Sequence, residues 1–116
     1  MKRTANLIIL LLPLLLTAQN SIKLFPIIEK GLYGFIDIYG NKVIKPQFLK
    51  AGSFSEGMAP ARVNGLYGYI NTTGTFIIAP QFDFAGHFSN GLAVAYKEGI
   101  PYYINKTGNV AFAAPY

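Results

Sequence analysis

The chain contains no cysteine and no tryptophan, and it has a single histidine, His87. Without cysteine there is no disulfide framework, no thiolate nucleophile, no thiolate metal site and no lipid-modified cysteine. One histidine and no nucleophile elbow argue against a serine–histidine triad, and His87 is expected to be a surface residue. These absences therefore exclude thiol-dependent catalysis and thiolate metal sites, and they argue against a serine–histidine hydrolase.

Charged residues are also few. After residue 19, eight Lys and Arg stand against five Asp and Glu, a net charge of about +3, and no basic run occurs. Nucleic-acid binding usually needs a clustered basic surface, so no nucleic-acid partner is expected. The five acids are Glu29, Asp37, Glu56, Asp83 and Glu98.

These acids do not form a recognisable catalytic pair. Asp37 is predicted to cap a turn, and Glu56 is predicted to be solvated because Asn90 replaces it in the next repeat. Asp83 is a single acid in a connector, whereas paired-carboxylate hydrolysis needs two acids at one site. We therefore expect no enzyme activity, no catalytic residues, no metal and no cofactor.

The first 19 residues have the layout of a secretory signal peptide. Lys2 and Arg3 precede an apolar run, Leu7 to Leu16, which is interrupted by Pro13. A spanning helix needs about 20 apolar residues, so this run is too short, although an uncleaved membrane anchor is the alternative. We predict cleavage after Ala18 or Gln19, a mature domain of residues 20–116, and a periplasmic, cell-surface or secreted location.

The mature chain is built from a 34-residue repeat. Residues 31–64 align with residues 65–98 without gaps and are identical at 17 of 34 positions, which indicates duplication. The units are about 22–57, 58–91 and 92–116. A helical-hairpin repeat has the same period, but the frequent glycines and prolines leave no stretch long enough for its helices.

The repeated phrase predicts strands separated by tight turns. In the middle unit the strands are Met58–Val63, Leu66–Asn71 and Thr75–Pro80, and proline is expected to end the third strand. Asn64–Gly65 is a two-residue hairpin turn, because both residues tolerate positive φ. The glycines predicted to form the repeat turns are Gly31, Gly65, Gly99, Gly40, Gly74 and Gly108. The predicted fold is all-β, with tandem three-stranded antiparallel meanders stacked as an open β-repeat array.

The hairpin turn fixes which residues share a face. Alternation places small and aliphatic residues on a smooth face (Ala59, Ala61, Val63, Leu66, Gly68, Ile70) and larger residues on a bulky face (Pro60, Arg62, Tyr67, Tyr69). We expect the bulky face of one meander to pack on the smooth face of the next, with Gly68 allowing the close approach. The recurrent Phe48/Phe82 and Phe54/Phe88 are predicted to fill the gaps between sheets from the connectors, the segments that lead from the third strand to the next unit (residues 81–91 in the middle unit).

The repeated residues resemble the WG repeat family of bacterial proteins. The resemblance rests on Gly-Leu-Tyr-Gly-Phe/Tyr-Ile, on Ile-x-Pro-Gln-Phe, and on Ala-Gly-x-Phe-Ser-x-Gly, and it covers about residues 24–116. The Trp-Gly pair of the family is replaced by Tyr33-Gly34 and Tyr67-Gly68, and by Pro101-Tyr102 in the third unit. The resemblance implies an exported or surface-associated repeat array that mediates interactions.

Binding is the function that remains. Most of the tyrosines and phenylalanines are expected to pack the core, but a terminal bulky face could present aromatic residues to a partner. The residues predicted to contact a partner are Arg62, Tyr67, Tyr69 and Tyr96. Protein interfaces favour Tyr and Arg, so a protein partner, either a second copy or an envelope protein, is preferred. A cell-wall glycan is the alternative, because aromatic rings also stack on sugars.

Overall fold

A computed structural model describes residues 22–114, and all the regular elements within that range are β-strands. The strands are β1 (Phe25–Glu29), β2 (Leu32–Ile36), β3 (Lys42–Phe48), β4 (Lys50–Ala51), β5 (Ala59–Val63), β6 (Leu66–Ile70), β7 (Phe76–Phe82), β8 (Phe84–Ala85), β9 (Leu92–Lys97), β10 (Ile100–Asn105) and β11 (Val110–Ala113). No helix in this range could cross a bilayer. The predicted signal peptide lies outside the described residues. Within residues 22–114 the all-β prediction is confirmed.

The strands form three antiparallel sheets, with the orders β1-β2-β3, β4-β5-β6-β7 and β8-β9-β10-β11, here called sheets 1, 2 and 3. Each sheet contains a predicted three-stranded meander, namely β1-β2-β3, β5-β6-β7 or β9-β10-β11, but sheets 2 and 3 each have a fourth strand that was not predicted. The connectors after β3 and β7 turn back along the next meander, and each adds a short edge strand, β4 or β8. In sheet 2, Lys50 pairs with Arg62 and Ala51 pairs with Ala61.

Two-residue turns join β1 to β2, β5 to β6 and β9 to β10. Asn64 and Gly65 have φ values of 50° and 83°, as the predicted hairpin turn requires. The pairing runs from Ala59↔Ile70 to Val63↔Leu66, which confirms the predicted register. The strands are slightly shorter than predicted, because β5 excludes Met58 and β6 ends before Asn71.

The turns that precede β3 and β7 are each held by a side chain. Asp37 Oδ1 accepts hydrogen bonds from the backbone N–H groups of Tyr39 and Asn41, both at 2.9 Å. Its equivalent Asn71 accepts from Thr73 and Thr75, both at 3.0 Å. These bonds confirm that Asp37 caps a turn, and they lower the pKa of its carboxyl, with the N–H of Asn41 as the main cause.

The strand predicted as Thr75–Pro80 is β7, and it does not end at the proline. β7 continues through Pro80 to Phe82, because the ladder to β6 is interrupted by a bulge: Tyr67 pairs with Phe82 and Tyr69 pairs with Ile78. Proline has no N–H to donate, and a bulge is a place where none is needed. The prediction of a strand end at Pro80 is therefore wrong.

The bulge also explains the glycine in the middle of β6. A Cβ atom added at Gly68 would lie 2.7 Å from the backbone nitrogen of Pro80 and 2.8 Å from the carbonyl carbon of Ala79. The backbone that approaches Gly68 therefore belongs to β7 of the same sheet. The prediction that the neighbouring sheet makes this approach is wrong. In sheet 3, Tyr102 takes the place of this glycine and pairs with Ala113.

The sheets pack bulky face on smooth face, as predicted. One core cluster joins Phe35, Ile44 and Phe48 of sheet 1 to smooth-face residues of sheet 2, namely Ala59, Ala61 and Ile70. A second cluster joins Tyr69, Ile78 and Phe82 of sheet 2 to Ala93, Ala95 and Ile104 of sheet 3. Alanine on the receiving face leaves room for the aromatic rings of the sheet before it.

The recurrent phenylalanines are buried between the sheets. Phe54 packs on Phe35 and Phe88 packs on Tyr69, each with ring centroids 4.8 Å apart. These two come from the connectors, as predicted, whereas Phe48 and Phe82 are the last residues of β3 and β7. Both kinds of residue fill the space between consecutive sheets.

Candidate interaction surfaces

The four residues predicted to bind a partner do not lie on one surface. Tyr96 is exposed, Arg62 and Tyr67 are half-buried, and Tyr69 has no exposed area. The Tyr69 hydroxyl donates a 2.7 Å hydrogen bond to the carbonyl oxygen of Gly86, and burial raises the pKa of this phenol above its usual value. Tyr69 therefore holds sheets 2 and 3 together and is not accessible to a partner.

Three of the four join a continuous line of side chains along one edge of the stack. Tyr67 and Phe84 have ring centroids 6.3 Å apart, and Phe84 and Tyr96 have centroids 5.9 Å apart. Phe84 is 51% exposed and Tyr96 is 39% exposed. Sequence reasoning missed Phe84, because it lies in a connector whose edge strand was not predicted.

The line continues from Tyr67 towards sheet 1 through two cations. Arg62 is the cross-strand partner of Tyr67 on one side and of Lys50 on the other. The Lys50 ammonium lies 6.0 Å from the ring centroid of Tyr33, within range of a cation–π interaction. The six residues of this line are called the edge row: Tyr33, Lys50, Arg62, Tyr67, Phe84 and Tyr96.

A small cavity opens beside the middle of the edge row. It measures about 180 Å³, and its lining includes Lys50, Tyr67, Phe84 and His87. His87 is exposed, and its Nε2 atom would lie 3.1 Å from a Cβ atom added at Gly52. The lining of the cavity therefore combines a histidine and a lysine with two aromatic residues.

The outer face of sheet 3 is a second aromatic surface. Ala93 and Ala95 pack on sheet 2, so alternation turns Tyr96 to the opposite side. On that side Phe112 is 50% exposed, and the ring centroids of Phe112 and Tyr103 are 4.8 Å apart. This face corresponds to the bulky faces that are covered by a neighbour in sheets 1 and 2.

Glu56 links the first connector to the second. Its carboxylate accepts hydrogen bonds from the backbone N–H groups of Gly91 at 3.0 Å and of Asn90 at 2.6 Å, and it lies 3.5 Å from the Lys106 ammonium. These contacts, first of all the Gly91 hydrogen bond, lower the pKa of Glu56. Glu56 is exposed, as predicted, but it also accepts hydrogen bonds from the turn that contains its own repeat equivalent, a contact that was not predicted.

Two of the remaining acids, Asp83 and Glu29, also have separate structural contacts. Asp83 accepts a 3.2 Å hydrogen bond from the backbone N–H of Gly99, and Glu29 pairs with Lys42 at 2.9 Å. In residues 22–114 no group of three or more His, Cys, Asp or Glu side chains is arranged to hold a metal ion. These two acids, like Asp37 and Glu56, therefore hold separate turns or surface ion pairs.

Comparison with known proteins gave one result that bears on this architecture. The model of a family described as WG containing repeat matches residues 33–67 and 67–99, which is more than half of the chain. No curated protein and no solved structure matched. The two matched segments follow each other with the period of the repeat.

Proposed function

The chain belongs to the WG containing repeat family, and from this premise we propose that it is an exported, non-catalytic protein that acts as an interaction or structural module. Its stacked sheets form an open array, and its partner is a protein, either a second copy of the chain or a protein of the cell envelope. The array uses no cofactor and meets the membrane only through the signal peptide.

The observation that carries this proposal is the outer face of sheet 3. Tyr96, Tyr103 and Phe112 lie on a face whose counterparts in sheets 1 and 2 are each covered by the next sheet. Exposed aromatic residues are enriched in protein interfaces and supply most of the binding free energy in many of them. A non-catalytic role is supported by Asp37, Glu56 and Asp83, which each accept backbone hydrogen bonds in different turns.

Site-specific photo-cross-linking tests the partner surface. A photoreactive amino acid at Phe112 is compared with the same residue at Tyr39, which is 83% exposed in a turn of sheet 1. The expected result is a discrete cross-linked product from Phe112 alone, identified by mass spectrometry as a second copy or an envelope protein. Equal labelling from both positions, or none from Phe112, would contradict the proposal.

Intact-mass measurement tests export. The expected mature species begins after Ala18 or Gln19 and is recovered outside the cytoplasm. A membrane-bound species that still begins at Met1 would instead support the uncleaved anchor.

A glycan ligand is the second candidate. It is favoured by the edge row, in which Tyr67, Phe84 and Tyr96 follow one another at 6.3 and 5.9 Å across two sheets. Aromatic rings placed in a line suit an extended sugar chain better than they suit a compact molecule.

A further inference from the structure

The edge row carries positive charge at only one of the two junctions between sheets. In the repeat alignment Lys50 corresponds to Phe84, and Arg62 corresponds to Tyr96. Both pairs occupy the same place in the fold, because Lys50 pairs with Arg62 in sheet 2 and Phe84 pairs with Tyr96 in sheet 3. Since two aromatic residues fulfil the structural role in sheet 3, the fold does not require two cations in sheet 2.

The two cations are also unfavourable neighbours. Like charges directly opposite each other on antiparallel strands destabilise the pairing. The ion pairs of residues 22–114 are formed by Lys42 and Lys106, and neither Lys50 nor Arg62 takes part in one. An anion bound between the ammonium and the guanidinium would turn this repulsion into attraction, and arginine binds carboxylates particularly well.

Aromatic rings flank the two charges on both sides. Tyr33 lies below the Lys50 ammonium, and Tyr67 is the cross-strand partner of Arg62. The cavity of about 180 Å³ beside them adds Phe84 and His87 to the same surface. A ligand that places an anion between Lys50 and Arg62 therefore also contacts aromatic surface.

The shape of the edge row favours an extended ligand. It consists of six residues in a line, whereas a stable interface with a globular protein uses roughly 20–30 residues on each side. We infer that the edge row binds an acidic polysaccharide, with a sugar carboxylate between Lys50 and Arg62 and neighbouring sugar rings against Tyr33 and Tyr67. This inference rests on the glycan candidate above and adds the chemical class of the glycan.

Calorimetric titration of the protein with polygalacturonate, and with the same polymer after methyl esterification, tests the inference. The ester keeps the sugar chain and removes the carboxylate charge. We expect the acid to bind at least about tenfold more tightly than the ester, because hydrogen bonds from Lys50 and Arg62 to an ionised carboxylate are stronger than those to a neutral ester. Added salt should weaken the binding of the acid.

The matched variant is Lys50→Phe combined with Arg62→Tyr, which introduces the residues that sheet 3 carries at these positions. It is expected to fold and to bind polygalacturonate about tenfold more weakly. The control is Lys45→Gln combined with Lys97→Gln, which removes two positive charges elsewhere on the surface and should leave the affinity nearly unchanged. Thermal melts of both variants verify that they are folded.

Several results would overturn the inference. The first two are that polygalacturonate does not bind, or that it binds no more tightly than its methyl ester. The third is that the control variant loses as much affinity as the Lys50→Phe, Arg62→Tyr variant. The fourth is that poly-L-glutamate, which carries carboxylates without sugar rings, binds as tightly as polygalacturonate. Lys50 and Arg62 lie in sheet 2, away from the outer face of sheet 3. Cross-linking from Phe112 therefore reports on the protein partner independently, and the two proposals can fail separately.

Discussion

The hydroxyl of Tyr69, in β6 of sheet 2, donates a 2.7 Å hydrogen bond to the carbonyl oxygen of Gly86, which directly follows β8 of sheet 3. The ring itself packs on Phe88, with centroids 4.8 Å apart. At the preceding junction Phe35 occupies the equivalent position and packs on Phe54 without a hydroxyl. The apolar contact is therefore common to both junctions, while the hydrogen bond is specific to the second.

Replacing Tyr69 with phenylalanine should separate these two contributions. We expect Tyr69→Phe to fold like the parent and to lose about 1 kcal/mol of unfolding free energy, because the hydrogen bond is lost and the apolar packing remains. Chemical denaturation at neutral pH measures this difference. Tyr39→Phe, at an exposed turn, is the control and should change the unfolding free energy very little.

The same pair of variants tests the raised pKa of Tyr69. The buried phenol resists ionisation in the folded state, so its stabilising contribution is complete below the ordinary pKa of 10.0 and is lost as the pH rises above it. The parent should therefore lose more stability above about pH 10 than Tyr69→Phe does. If both proteins show the same alkaline loss, the phenol of Tyr69 ionises freely in the folded protein.

Gly68 should tolerate a side chain less well than Gly52. Alanine at Gly68 would meet backbone atoms of Ala79 and Pro80, whereas alanine at Gly52 would meet side-chain atoms, 2.9 Å from Pro60 and 3.1 Å from His87. We expect Gly68→Ala to lower the unfolding free energy by about 1–3 kcal/mol, and Gly52→Ala to lower it less. Both changes remove one glycine, so the effect on the unfolded chain is matched. Equal losses would show that the bulge of β7 moves as readily as a side chain.

Local rules were sufficient to predict the centre of each sheet. Asn64–Gly65 determined the turn, the turn determined the pairing of Ala59–Val63 with Leu66–Ile70, and alternation then sorted the two faces. The course of β7 through Pro80 was not predictable in this way. It depends on a bulge opposite Gly68, and the sequence signals of a bulge and of a strand end are the same, namely a glycine facing a proline.

The candidate surfaces were only partly predictable. Tyr69 and Tyr67 lie on the same face of β6. Sheet 3 covers Tyr69, whereas Tyr67 belongs to the edge row and is half-buried. The alternation of a strand predicts which face a residue is on, but it does not predict which residues of that face a neighbouring sheet covers. The turn Asn90–Gly91 was missed although Asn-Gly is a strong hairpin signal, and with it the contact to Glu56. That contact joins residues about one repeat apart, so no local pattern indicates it.

The side-chain cap before β7 gives a prediction with a conservative counterpart. Asn71 Oδ1 accepts hydrogen bonds from the backbone of Thr73 and Thr75, and the first unit has Asp37 in the same role. We expect Asn71→Ala to lower the unfolding free energy by about 1 kcal/mol. Asn71→Asp should remain close to the parent in thermal melts. A large loss in the aspartate variant would mean that the amide, and not the Oδ1 acceptor, stabilises the turn.

Glu56 should contribute to stability at neutral pH and lose that contribution in acid. The backbone N–H of Gly91 is the main reason why the pKa of Glu56 is lowered below the ordinary 4.5. The ionised carboxylate therefore stabilises the folded state fully above pH 4.5. This contribution is lost as the pH falls through the lowered pKa. Glu56→Gln should therefore melt at a lower temperature than the parent at pH 7, and the difference should shrink steadily below about pH 4.5. Glu98→Gln removes a carboxylate that forms neither an ion pair nor a hydrogen bond with other described side chains, and it is the control for the change in net charge. A constant difference between Glu56→Gln and the parent across this range would show that the turn at Asn90–Gly91 does not depend on the ionised carboxylate.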